Sequence, residues 1–144
     1  MQCVRCRRCN LTEARLDHAT LTKTRWTLST ALRVSAPRAI FDGADLQQLD
    51  LSESDLTEAS LQGVDLTKAT LRGVILRSAQ VCSSNLLGAV LQDVTAADSK
   101  WSSANMQEAS LSRSKFERAD FAGSCSAYTQ QCRVLPYHWK AAVL

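Results

Sequence analysis

Along residues 39–66 a large apolar residue stands at every fifth position: Phe41, Leu46, Leu51, Leu56, Leu61 and Leu66. Two residues before each sits a mostly smaller one: Ala39, Ala44, Leu49, Ser54, Ala59 and Val64. A helix cannot bury such a series, because five residues turn it by about 500° and scatter successive leucines around its circumference. A flat strand does no better. Its side chains alternate with a period of two, so an odd step sends neighbouring leucines to opposite faces. The pattern becomes self-consistent if each pentad is a short extended side followed by a two-residue corner. On each side, two inward residues then flank one outward residue. Stacked units of this kind form a solenoid in which each coil covers the apolar side of the next.

The frame continues in phase on both sides of this stretch. Upstream its central slot holds Leu11, Leu16, Leu21, Trp26, Ala31 and Ala36; downstream it runs through Leu71, Leu86, Trp101 and Met106 to Phe116 and Phe121. The repeat is therefore read as residues 9–128, with Ser126 as its one polar centre. All five glycines (Gly43, Gly63, Gly73, Gly88 and Gly123) fall in one slot, two after the centre, where a corner needing positive φ belongs. The segment Thr24 to Arg38 is the weakest part: its centres shrink to alanine and Pro37 intervenes. A local departure over 24–38, as a short helix or bulging loop, is one expectation, although the phase is retained. Residues 1–8 are read as a basic N-terminal tail or cap. The out-of-phase residues 129–144 are read as a C-terminal cap, with a short helix after Pro136 lying over the last coil.

Charge adds a second layer. The net charge of +3 divides into +6 over residues 1–38, −7 over 39–65 and +4 over 66–144. No apolar run approaches the ~20 residues of a membrane-spanning helix, and the arginine-rich start is followed by no apolar stretch. A cytoplasmic location is the expectation, with a secreted effector as the alternative. Of the six cysteines, three crowd into Cys3, Cys6 and Cys9 and the others lack regular spacing, which argues against a disulfide framework.

The pentads ADLQQ at 44–48, SDLTE at 54–58, VDLTK at 64–68, SNLLG at 84–88, ANMQE at 104–108 and ADFAG at 119–123 resemble the motif of the pentapeptide-repeat family. The resemblance implies an all-β fold, a right-handed quadrilateral parallel β-helix with four pentads per coil and about six coils. Four pentads per coil place residues twenty apart one above the other, about 4.8 Å apart, where opposite charges are favoured. The pairs are Glu13/Arg33, Arg33/Glu53, Arg25/Asp45, Arg38/Glu58, Asp93/Arg113, Asp98/Arg118 and Lys100/Asp120, against the one like pair Asp45/Asp65. This charge pattern supports a coil of twenty residues. It also implies that Asn85 and Asn105 stack on one side and can hydrogen-bond from coil to coil.

Chemistry is scarce in the sequence. Cys3, Cys6 and Cys9 have a spacing that can bind zinc or an iron–sulfur cluster, with His18 as a fourth candidate ligand, but Cys6 and Cys9 also fit inward packing slots. Packing is the preferred reading, and no metal or cofactor is expected. His18 and His138 fall at opposite ends of the rod, and no nucleophile, base and orienting group can be assembled from the repeat. The expected function is therefore a non-enzymatic interaction module offering a rigid face to a protein partner. The acidic residues Asp45, Asp50, Asp55, Asp65, Glu53 and Glu58 are its candidate surface. The resemblance adds an alternative, since the family includes proteins that imitate duplex DNA and bind DNA gyrase, as quinolone-resistance proteins do. Nucleic-acid or anionic-surface binding through Arg5, Arg7, Arg8, Arg15 and Arg25 is a weaker alternative. A homodimer formed through the apolar 129–144 segment is a further expectation.

Overall fold

A computed structural model describes residues 5–124. They form six coils of a right-handed parallel β-helix, residues 5–24, 25–44, 45–64, 65–84, 85–104 and 105–124. Every fifth residue bridges in parallel to the residue twenty ahead, from Arg5–Arg25 to Lys100–Asp120. The four faces take their outward residues from these bridges. Face 1 carries Arg5, Arg25, Asp45, Asp65, Asn85 and Asn105; face 2 begins at Asn10, face 3 at Arg15 and face 4 at Thr20. Corners interrupt each side before a longer strand can form. The backbone is nevertheless satisfied by three rungs per side. In one such set Leu46 N–H donates to the Asp65 carbonyl at 2.8 Å, Asp65 N–H to Ala44 at 2.9 Å and Gln48 N–H to Thr67 at 3.0 Å.

The corner slot has positive φ throughout, in residues as different as Leu28 (58°), Arg38 (57°) and Gly63 (61°). At most corners the residue after it donates its N–H back to the central carbonyl, as Ala44 does to Phe41 at 2.8 Å, which makes a type II turn. This turn accounts for Pro37. It occupies the position of a type II turn that prefers proline, before Arg38, and Ala39 N–H closes the turn onto Ala36 at 3.2 Å.

A second corner chemistry replaces the turn hydrogen bond with a serine hydroxyl from the next coil. Ser54 Oγ accepts Val34 N–H at 3.0 Å and donates to the Ala31 carbonyl at 3.0 Å. Ser29, Ser84 and Ser114 bridge the corners below them in the same way. These hydroxyls sit in the small inward slot. There they satisfy both backbone groups of an opened turn that would otherwise be left without partners inside the rod.

The interior is filled. Leu46, Leu49, Leu56, Leu86 and Leu91 are fully buried, and Trp101 is as well. Alanine centres occur only in the coils that hold tryptophan: Ala31 beside Trp26 and Ala36 beside Phe41 in one coil, and Ala96 beside Trp101 in another. One large ring thus takes the space that two leucines fill in the other coils, keeping the cross-section close-packed. Trp26 meets Phe41 edge-on at 5.8 Å, while Trp101 stacks on Phe121 one coil further at 5.9 Å. The indole N–H of Trp101 is satisfied inside the rod by Ser99 Oγ at 2.7 Å.

Residues 24–38 continue the register without departure, through the bridges Arg25–Asp45, Thr30–Asp50 and Ser35–Asp55. The first coil also begins earlier than the sequence frame places it. Residues 5–8, expected as part of a tail, are paired, with Cys6 N–H donating to the Arg25 carbonyl at 2.7 Å and Arg8 N–H to Thr27 at 3.3 Å. The reason is that each side of a solenoid is templated by the coil next to it, and residues 5–8 find their backbone partners in residues 25–27. The expected C-terminal cap at 129–144, the repeat beyond Ser124, His138 and Cys3 lie outside the described residues.

Candidate functional site

The six acidic candidates are contiguous in sequence but not in space. A five-residue step turns a corner, so Asp45 and Asp65 share face 1, Asp50 stands on face 2 and Asp55 on face 3. Glu53 and Glu58 occupy corner slots with positive φ on either side of face 3. Together they form a belt around the rod, not a patch.

Most of these carboxylates are engaged internally. Asp50 Oδ1 accepts the N–H and hydroxyl of Ser52, at 3.0 and 2.6 Å. Asp55 does the same with Thr57, and Asp65 with Thr67. Each aspartate thereby holds the corner that follows it, the Asx-turn use of this residue. The like pair Asp45/Asp65 is relieved because Gln47 Nε2 donates to Asp65 Oδ2 at 2.9 Å, and Asp45 Oδ1 accepts Gln47 N–H at 3.4 Å. Above them Asn105 Nδ2 donates to Asn85 Oδ1 at 3.1 Å, continuing the polar ladder from coil to coil.

Four of the seven coil-to-coil charge pairs close directly. Arg33 reaches Glu13 at 2.8 Å, Arg38 reaches Glu58 at 2.8 Å, Arg113 reaches Asp93 at 2.7 Å and Arg118 reaches Asp98 at 2.6 Å. All four occupy corner slots, where the positive φ of both partners aims their side chains outward in parallel. Arg33/Glu53, Arg25/Asp45 and Lys100/Asp120 do not close into direct ion pairs. Arginine hydrogen bonds hold the carboxyls of Glu58, Asp93 and Asp98 below their ordinary values, and the Ser35 hydroxyl does so for Asp17. A depressed folded-state pKa contributes stability above the unfolded value and loses it as pH falls through the folded value. The melting temperature is therefore expected to hold from pH 7 to about 5 and to fall as pH drops below about 4, the ordinary carboxylate value. A melting temperature unchanged between pH 5 and 3 would show that these pairs add nothing.

Cys6 and Cys9 are joined in a disulfide across the first corner, Cα to Cα 5.8 Å, which leaves neither sulfur as a thiolate to bind a metal. Cys82 is a free, half-buried thiol. No group of three or more His, Cys, Asp or Glu residues among those described is arranged to hold a metal ion. Spacing alone does not separate a disulfide from packing or metal ligation, and it could not have identified this bond.

One arrangement was missed by the sequence frame, which began at Cys9. The Arg5–Arg25 bridge stacks two arginines in register at the start of face 1. Beside them is a surface hollow of about 330 Å³ lined by Arg5, Lys23, Thr24, Arg25, Gly43 and Asp45. Carrying the repeat one side further back would have exposed the pair.

A four-sided, right-handed β-helix of five-residue sides defines the class of this protein. The family model for pentapeptide repeats matches residues 1–27, 39–77 and 84–123 in 8 copies, and the chain belongs to the pentapeptide-repeat family. The gap in that match at 28–38 spans Ala31, Ala36 and Pro37, although the coil itself is regular there. The sequence matches none of the curated proteins. Among solved structures, it is similar to a trypsin-treated variant of QnrB1, a plasmid-mediated fluoroquinolone resistance protein. The two are 15% identical with a TM-score of 0.62, over 85% of this chain and 74% of that one. It is also similar to a pentapeptide repeat protein from the Arabidopsis thaliana thylakoid lumen, at 25% identity and a TM-score of 0.33, over 85% and 71% of the two chains. A third is Rfr23 from the cyanobacterium Cyanothece 51142, at 19% identity and a TM-score of 0.35, over 83% and 85%. These likenesses concern the fold. No helix among the described residues is long and apolar enough to cross a membrane.

Proposed function

We propose that the chain is a non-enzymatic interaction module that presents face 1 of the rod to a protein partner. The observation that carries this reading is the polar ladder on that face: Arg5 and Arg25, then Asp45 and Asp65, then Asn85 and Asn105, in one straight row. A filled core and an unbroken register make the row rigid, so little conformational entropy is lost when a partner docks on it. Apolar recognition has less support. The large exposed apolar residues Leu28, Ile40 and Ile75 stand on different sides of the rod and form no common patch. Imitation of duplex DNA toward gyrase is the second reading, motivated by the acidic stretch of face 1. That stretch is two aspartates long, with arginine below and amides above, whereas a DNA-like surface needs extended negative charge.

The test is cross-linked capture with the full chain, comparing wild type, Asp45→Lys/Asp65→Lys on face 1 and Lys115→Glu on face 3. A partner lost with the face 1 variant and kept with the face 3 variant is the expected result. Capture that is the same for all three proteins, or absent from all, overturns the reading. A gyrase supercoiling assay with and without a quinolone separates the two candidates.

A further inference from the structure

We propose that the start of face 1 is a seat for a phosphate-class oxyanion, held between Arg5, Lys23 and Arg25. Apart from Asp45 over Asp65, charged residues one coil apart elsewhere in the rod are of opposite sign, in keeping with the ~4.8 Å spacing at which like charges repel. Arg5 over Arg25 breaks that rule, and neither makes a hydrogen bond or ion pair with another side chain among the described residues. The other like-charged stack, Asp45 over Asp65, has an internal remedy in the Gln47 amide. Among the described residues the arginine stack has no such hydrogen bond, since Asp45, next in the row, does not close onto Arg25, and a bound anion would serve the same purpose.

The surroundings suit such a ligand. Gly43 lines the hollow of about 330 Å³ and has no side chain to place above Lys23, whose Cγ lies 3.6 Å from where a Cβ on Gly43 would stand. Asp45 is on the rim, and its Oδ1 accepts the Gln47 N–H at the corner on the far side of face 1 from Lys23. Arg5 and Arg25 against Asp45 leave an excess of positive charge along this edge of the hollow. Two guanidinium forks in register favour a group with several oxygens over a halide, and a tetrahedral phosphate offers an oxygen to each base. The seat adds to the reading of face 1 as an interaction surface and does not depend on it.

Calorimetric titration of the full chain with inorganic phosphate, against chloride at matched ionic strength, tests the proposal. Saturable binding of one phosphate per chain is expected, weakened about tenfold or more in both Arg5→Gln and Arg25→Gln and unchanged in Lys115→Gln on face 3. Sedimentation with vesicles of phosphatidylcholine, with and without phosphatidic acid, distinguishes the source. Pelleting that needs phosphatidic acid and is lost in Arg25→Gln assigns the seat to a lipid headgroup, while phosphate binding without pelleting assigns it to a free phosphate ligand. The proposal is overturned by an absence of saturable phosphate binding, by unchanged binding in both arginine variants, or by an equal loss in Lys115→Gln. A chain that binds phosphate yet captures no protein keeps the seat and loses only the docking reading.

Discussion

Replacing Trp101 with alanine is expected to destabilise the rod by about 4 kcal/mol, within the range for removing a fully buried aromatic ring. Trp101 is 0% exposed and touches Phe116 at 5.6 Å and Phe121 at 5.9 Å between ring centroids. The neighbouring centre of the same coil is Ala96, so the substitution would leave two alanines side by side where the other coils hold at least one large group. The coils above and below are tied into the same ladder and cannot collapse inward to fill the void. Ser99 Oγ would also lose the indole N–H that it accepts. Urea unfolding of the full chain measures the effect, and a loss below about 1 kcal/mol would mean that the core at this level is not packed as described.

The second large effect contrasts two deletions. Removing residues 45–64, one complete coil, joins Ala44 to Asp65, and every later residue keeps its slot. Asp65 then takes the place of Asp45 above Arg25, and the protein is expected to retain a cooperative melt with a smaller rod. Deleting Gln62 alone removes a single exposed corner residue with no part in the core, yet it is expected to be the more damaging change. A four-residue side cannot span one corner to the next. The alternative, a shifted frame, moves the centres of the following coils into the outward slot, where their apolar side chains meet solvent, and turns residues such as Asp65 and Thr67 inward. Circular dichroism melts of the two proteins decide the matter. A Gln62 deletion as stable as the one-coil deletion would contradict an obligatory twenty-residue register.

Much of this architecture was legible because the repeat is one-dimensional: each coil contacts mainly its two neighbours, so spacing along the chain translates directly into stacking. The glycine slot foretold the left-handed corner, and the pairs Arg38/Glu58 and Asp98/Arg118 foretold a coil of twenty. The doubtful segment 24–38 was misleading for a local reason. Alanine centres suggest a weak core only when the coil is not considered whole, because Trp26 beside Ala31 and Phe41 beside Ala36 supply the missing volume from the adjacent sides. The six acidic candidates show the opposite limit, since closeness in sequence placed them around the circumference of the rod.

The amino-acid sequence by itself determined the pentad, the inward and outward slots, the corners and the family, because each depends on a spacing that no other regular structure can satisfy. Only the tertiary structure decided that residues 5–8 already pair with the next coil, that Cys6 and Cys9 are bonded and that serine hydroxyls hold four of the corners among the described residues. It also decided that two arginines share one hollow. These features depend on which side chains meet across coils and on where each side chain points, and a repeat period carries neither.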